Sequence, residues 1–101
     1  MSAVTKELLA EIDETTQAAF DLGTRRAAQK KEGSRRKAYE KGIKEVNSLA
    51  GRDAARELTD WIIGEIEENQ KLPSARQVRK RGARICRNHG EEISTGSWLG
   101  A

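Results

Sequence analysis

The stretch LPSARQVRKRGARICRNHG, residues 72–90, constrains the fold more than any other part of the chain. Pro73, the only proline, ends whatever helix precedes it, and Ser74 then offers an N-cap oxygen. Asn88, His89 and Gly90 supply an exit, with Gly90 suited to a left-handed C′ position. At about 100° per residue, Ala75, Val78, Gly82, Ile85 and Cys86 fall on one arc of a helix over residues 75–88. Arg76, Arg79, Lys80, Arg84 and Arg87 are assigned to the opposite arc, with Arg81 at its edge. Such a helix needs other helices to cover its apolar side. Its polar side carries no Asp or Glu, although a solvated helix ordinarily mixes signs to gain i,i+4 pairs. Two readings follow. The basic arc is a docking face for a polyanion, most simply nucleic acid, or acidic helices of the same protein neutralise it.

Charge alternates along the whole chain in blocks. Residues 1–23 carry a net −4, residues 24–52 +7, residues 53–70 −5 and residues 71–101 +5. These blocks coincide with helical apolar spacing. In the first, Val4, Leu8, Ile12, Thr15, Ala19 and Leu22 form a stripe widened by Leu9 and Phe20, with Ser2 or Thr5 as cap and Gly23 as terminator. This reads as a packing helix, whose negative face could also form one side of a dimer contact. In the second, Tyr39, Ile43, Val46 and Ala50 keep the spacing, while Lys37, Lys41 and Lys44 lie on the other face. Gly33-Ser34 reads as a break or a fresh cap, and residues 24–36 hold no large apolar side chain, so a flexible basic segment is expected there. If the helix runs through the glycine, Arg26 and Lys30 extend the lysine row.

Gly51 separates the third block, for which Asp53 is the expected cap and Leu58, Trp61, Ile62 and Ile66 the stripe. Trp61 is expected at the centre of the core. Ile63 falls off the stripe, and with Trp98 of the tail it is the candidate interface for a homo-oligomer. The tail, residues 91–101, holds Ile93, Trp98 and Leu99 among Ser, Thr and Gly, too short and glycine-rich for another full helix. Folding back onto the bundle is the favoured reading, and anchoring a partner the other.

Composition excludes several classes. Apart from alanine there are 23 apolar side chains in 101 residues, enough for one small core. No apolar run is long enough to span a membrane. The N-terminus is acidic where a secretory leader has a basic region, and the single cysteine forms no intramolecular disulfide; a cytoplasmic location is expected. Cys86 and His89 are three residues apart, but one Cys and one His make no zinc set within a chain. There is no glycine-rich phosphate loop, nucleophile elbow or HExxH. No metal, cofactor, small-molecule substrate or enzymatic activity is expected.

The segment WIIGEIEENQKLPSARQVRKRG, about a fifth of the chain, resembles the opening of certain winged helix-turn-helix regulators. In those proteins a helix leads into a Leu-Pro-Ser-x-Arg entry to the second helix. The resemblance implies nucleic-acid binding, with the helix from Ala75 as the supporting helix. The pattern then departs: a recognition helix and wing follow in such regulators, whereas GEEISTGSWLGA follows here.

Together these features describe one all-α domain over residues 1–101, a small bundle of three to four helices with a short non-helical C-terminal tail. The expected function is nucleic-acid binding, DNA ahead of RNA, mainly through phosphates and with weak sequence preference. Arg76, Arg79, Lys80, Arg84 and Arg87 make the contacts, Lys37, Lys41 and Lys44 assist, and Gln77 and Asn88 are the amides that could read bases. The competing class is a helical protein–protein interaction module: a homo-oligomer, an adaptor or a small inhibitor of an acidic partner.

Overall fold

The computed structural model describes the backbone of residues 3–19 and 22–100, and the side chains of residues 3–19 and 35–100. Four helices follow one another: α1 (Ala3–Ala19), α2 (Leu22–Ala50), α3 (Arg52–Asn69) and α4 (Ala75–Asn88). A single 3-10 turn, Trp98–Gly100, closes the tail. No strand occurs among the described residues, so the fold is all-α as the periodicity requires.

The helix α2 is the spine. Its 29 residues span about 43 Å at 1.5 Å per residue, which matches the 42 Å long axis of the molecule. It packs against α1, α3 and α4, and the tail lies on α2 and α4. No packing contact joins α1 to α4 among the described residues. The α2–α3 pair therefore separates an α1 side from an α4-and-tail side.

The stripes read from the sequence form this core. Leu8, Leu9 and Ile12 of α1 meet Tyr39, Ile43 and Val46 of α2 and Leu58, Ile62 and Ile66 of α3 in one cluster with Val78, Ile85 and Cys86 of α4. Tyr39, not Trp61, is the largest fully buried side chain. Trp61 is only half-buried, with the Arg81 guanidinium 5.0 Å from its ring centroid. An indole at the rim keeps one face for a cation, whereas the slim isoleucines on either turn fill the interior. Ile63 is likewise half-buried and packs against the core.

Several boundaries differ from the sequence reading. Gly23 lies inside α2 and Thr5 is buried within α1, so neither delimits the first helix. The cap expectation for Ser2 and the stripe positions Phe20 and Leu22 fall outside the described residues or side chains. The α2 backbone stays helical through Gly33 and Ser34, because the cost of one glycine, about 1 kcal/mol, is small against a long packed helix. The flexibility expected of residues 24–36 falls largely on side chains outside those described. Gly51, with φ 92°, caps α3 without a side-chain bond, and Asp53 sits in the first turn instead. There its charge complements the helix dipole.

Among the described residues, most of the ion pairs lie on the α1 side. Arg36 of α2 binds Asp13 at 3.1 Å, and Arg56 of α3 binds Glu11 at 2.5 Å. Arg52 lies 3.9 Å from Glu7. The negative face of α1 thus meets arginines of its own chain. The Arg56 hydrogen bond holds the Glu11 carboxyl below its ordinary value; burial opposes this and the guanidinium charge adds to it.

Candidate nucleic-acid interface

Two side chains of α2 fix where α4 begins. The buried Tyr39 hydroxyl donates to the Pro73 carbonyl at 2.7 Å, and the Arg35 guanidinium donates to the Leu72 carbonyl. Ser74 then caps α4 as the sequence indicates: its Oγ accepts from Gln77 N–H at 3.2 Å, and Gln77 Oε1 accepts from Ser74 N–H at 2.9 Å. This reciprocal capping box satisfies two backbone donors. The far end closes in a Schellman motif. Glu91 N–H bonds the Cys86 carbonyl and Gly90 N–H the Arg87 carbonyl, both at 2.9 Å, with Gly90 at φ 83°. The basic helix is therefore held rigidly at both ends.

Gly42 and Gly82 let its inner side come close to α2. A Cβ at Gly42 would stand 2.7 Å from Val78 Cγ1 and 3.4 Å from Trp98 Cζ3. A Cβ at Gly82 would stand 2.7 Å from Leu99 Cδ2 and 3.3 Å from Val46 Cγ2. Those gaps are what the tail fills. Leu99 is buried over Gly82, and Trp98 packs half-buried over Gly42.

On the outer side, Arg76, Lys80, Arg84 and Arg87 are exposed. Arg79 is not on the far arc. At about 100° per residue it lies only about 20° from the buried Cys86, so it is half-buried at the border and its guanidinium stacks 4.7 Å from the Trp98 centroid. Its Nε is buried without a hydrogen-bond partner among the described residues. Arg76, Arg79, Lys80 and Arg87 line one open concavity with Ala83 and Leu99. Lys41 and Lys44 line a second with Glu45, Thr95, Gly96, Ser97 and Trp98. Lys37 is exposed one turn before Lys41, and Arg84 lies on α4 beyond the first concavity.

The two cationic sets expected from α4 and α2 thus share the tail as a common border, with Trp98 touching both. From the sequence Trp98 is expected as an interface residue on a tail that folds back; the fold-back is what the structure has, while Thr95 and Ser97 beside it were missed. The available signal was the pair Gly42 and Gly82, small residues on facing helices ahead of a tail with Trp and Leu. Of the amides, Gln77 has its carbonyl oxygen committed to the cap, while Asn88 is exposed at the last turn.

Carboxylate pairing separates α4 from the other helices. The ion pairs among the described residues involve Arg36, Arg52, Arg56 and His89, and none involves a Lys or Arg of α4. His89, just past α4, meets Glu57 at 3.1 Å. Lys37, Lys41 and Lys44 also lack a carboxylate within salt-bridge distance among the described residues.

No three His, Cys, Asp or Glu side chains converge on a metal position among the described residues. Cys86 is fully buried on the inner side of α4, and burial, reinforced by Glu91 and Glu45, pushes its thiol upward. A protonated buried thiol is a packing group rather than a nucleophile at neutral pH. No helix among the described residues is long and apolar enough to cross a membrane. Comparison with protein-family models, with curated proteins and with solved structures finds no match for this chain.

Proposed function

We propose that the protein binds nucleic acid, chiefly through phosphates, on the face formed by the outer side of α4 and the lysine row of α2. Arg76, Lys80, Arg84 and Arg87 make direct phosphate contacts, Arg79 contributes from the border, and Lys37, Lys41 and Lys44 extend the track. The observation that carries this reading is the uneven pairing of arginines. Carboxylates of α1 take up Arg36, Arg52 and Arg56, while the cations of α4 have no carboxylate partner among the described residues. Had the acidic blocks served to neutralise the basic helix, the pairs would lie on α4. A rigid helix that concentrates unpaired guanidinium groups suits phosphate oxygens, which guanidinium binds in a fixed fork geometry.

Sequence preference should be weak, because phosphate contacts position without specifying. The carbonyl oxygen of Gln77 is committed to its cap, and Asn88 is exposed at the end of the basic helix. The direct test is fluorescence anisotropy with unrelated oligonucleotide sequences at low and near-physiological salt. Binding that is similar across sequences and falls steeply with salt supports the reading. No binding at low salt refutes it and leaves the protein-interaction class in its place.

A further inference from the structure

We propose that the cleft between the tail and α2 selects single-stranded nucleic acid, with Trp98 as the stacking platform for an unpaired base. This rests on the phosphate-binding reading and names the form of nucleic acid that the same surface takes.

Two contacts of its own and one of its neighbour hold Trp98 in place. Its ring edge packs over Gly42, where no side chain intervenes, and the Arg79 guanidinium covers it at 4.7 Å from the centroid. Its neighbour Leu99 is buried over Gly82 and pins the turn. An indole fixed in this way loses little rotamer freedom when a ligand stacks on it, so the entropy cost of binding is already met by folding. The remaining ring surface opens into the concavity with Lys41, Lys44, Thr95 and Ser97. Two lysines, Thr95, Ser97 and the indole therefore line one cleft.

That combination suits a single strand. A cationic groove that follows the backbone, with aromatic side chains under the bases, is the general means of holding unpaired nucleic acid, and every base has a π-face to offer. In a duplex the base faces are already stacked on one another, and an indole in a cleft cannot reach them without unstacking a step. The other concavity, on α4, is lined by Arg76, Lys80 and Arg87 together with Arg79 and Leu99, the residues that border Trp98. A strand whose base stacks on Trp98 can lay its neighbouring phosphates there. Glu45 also lines this cleft; its carboxylate repels phosphate locally, so the backbone runs on the side of Arg79.

The test uses the full chain carrying Trp61→Phe, so that Trp98 is the sole tryptophan, titrated with a thymine oligonucleotide of about a dozen nucleotides and with a hairpin duplex. The single strand is expected to quench Trp98 and to bind several-fold more tightly than the duplex. Adding Trp98→Leu should weaken single-strand binding roughly five-fold or more and duplex binding less than about two-fold, while Trp98→Tyr keeps most of the single-strand affinity. Equal single-strand affinity in a folded Trp98→Leu protein overturns the proposal. If that variant does not fold, Trp98 emission that the single strand leaves unchanged overturns it instead. Polyglutamate that quenches Trp98 as strongly as the oligonucleotide also overturns it, since a polyanion without bases would then suffice. A protein that binds both forms equally, with no effect of Trp98, keeps the phosphate-binding function and loses only this inference. Failure to bind either form refutes both.

Discussion

Replacing Tyr39 by Phe removes one oxygen from the centre of the molecule and nothing else. The ring is fully buried in the cluster shared by all four helices, so Phe keeps its packing. The loss includes the 2.7 Å hydrogen bond to the Pro73 carbonyl, which fixes the link between α3 and α4. Pro73 is itself buried, so water does not readily replace the lost donor. A buried carbonyl left without a partner costs about 1–3 kcal/mol, and burial at both ends places this bond near 2 kcal/mol. For a chain of this size 1 kcal/mol moves Tm by roughly 4–8 °C. Tyr39→Phe should therefore melt about 8–16 °C below the parent in a far-UV circular dichroism scan, with the denaturant m-value unchanged. A loss smaller than about 2 °C would mean that the hydroxyl does not hold the link, and the argument for a rigidly placed α4 would fail with it.

Gly82→Ala sets the better helix preference of Ala, about 1 kcal/mol, against a contact of 2.7 Å with Leu99 Cδ2. Tm should change little while Leu99 leaves its seat, so Trp98 emission in a Trp61→Phe protein should shift to the red; unchanged emission would contradict the docking of the tail. The folded-state carboxyl of Glu11 is lowered by its bond to Arg56, so its contribution is complete above the ordinary carboxylate range and is lost as pH falls through the folded value. Glu11→Gln should thus be slightly less stable at neutral pH, by no more than about 1 kcal/mol for so exposed a pair, and the difference should vanish in acid. A constant difference at all pH values would refute this coupling. Cys86 is buried with its thiol pushed up, so a thiol reagent should label native protein only at the rate of opening, and immediate labelling would place the thiol at the surface.

Helix identity and the core were largely legible because apolar spacing at 3.6 residues is a local property. Leu8, Ile12, Tyr39, Ile43, Val46, Leu58, Ile62 and Ile66 were all assigned to buried stripes, and all are buried. The cap of α4 was legible for the same reason, since Pro73, Ser74 and Gly90 each act on their own backbone. Trp61 was misplaced because hydrophobicity alone does not say which large side chain fits a narrow interior, and Arg81 is a neighbour that only the fold supplies. Gly23 reads as a terminator, and Gly33 as either a break or a point the helix runs through; a penalty of about 1 kcal/mol does not by itself end a helix of 29 residues. The position of Arg79 was an error of angle: it lies beside Cys86, where the tail covers it. The meeting of Lys41 and Lys44 with Trp98, beside Arg79, joins lysines more than fifty positions from the tryptophan in sequence. No periodicity carries that information.

The central claim is that the unpaired cations of α4 hold phosphates. Arg76 and Arg84 are both exposed, have no carboxylate partner among the described residues, and take no part in seating the tail. Replacing both by Gln should change folding by only about 0.5 kcal/mol or less. If each neutralises one phosphate, the slope of log affinity against log salt should fall by roughly 1.5–2. Binding affinity across a salt series, measured for the parent and for the double variant, reads this directly. The account predicts weaker binding, a shallower slope and an unchanged melting temperature. An unchanged slope with a clearly lower melting temperature would show that the arginines of α4 serve folding or assembly, and would contradict it.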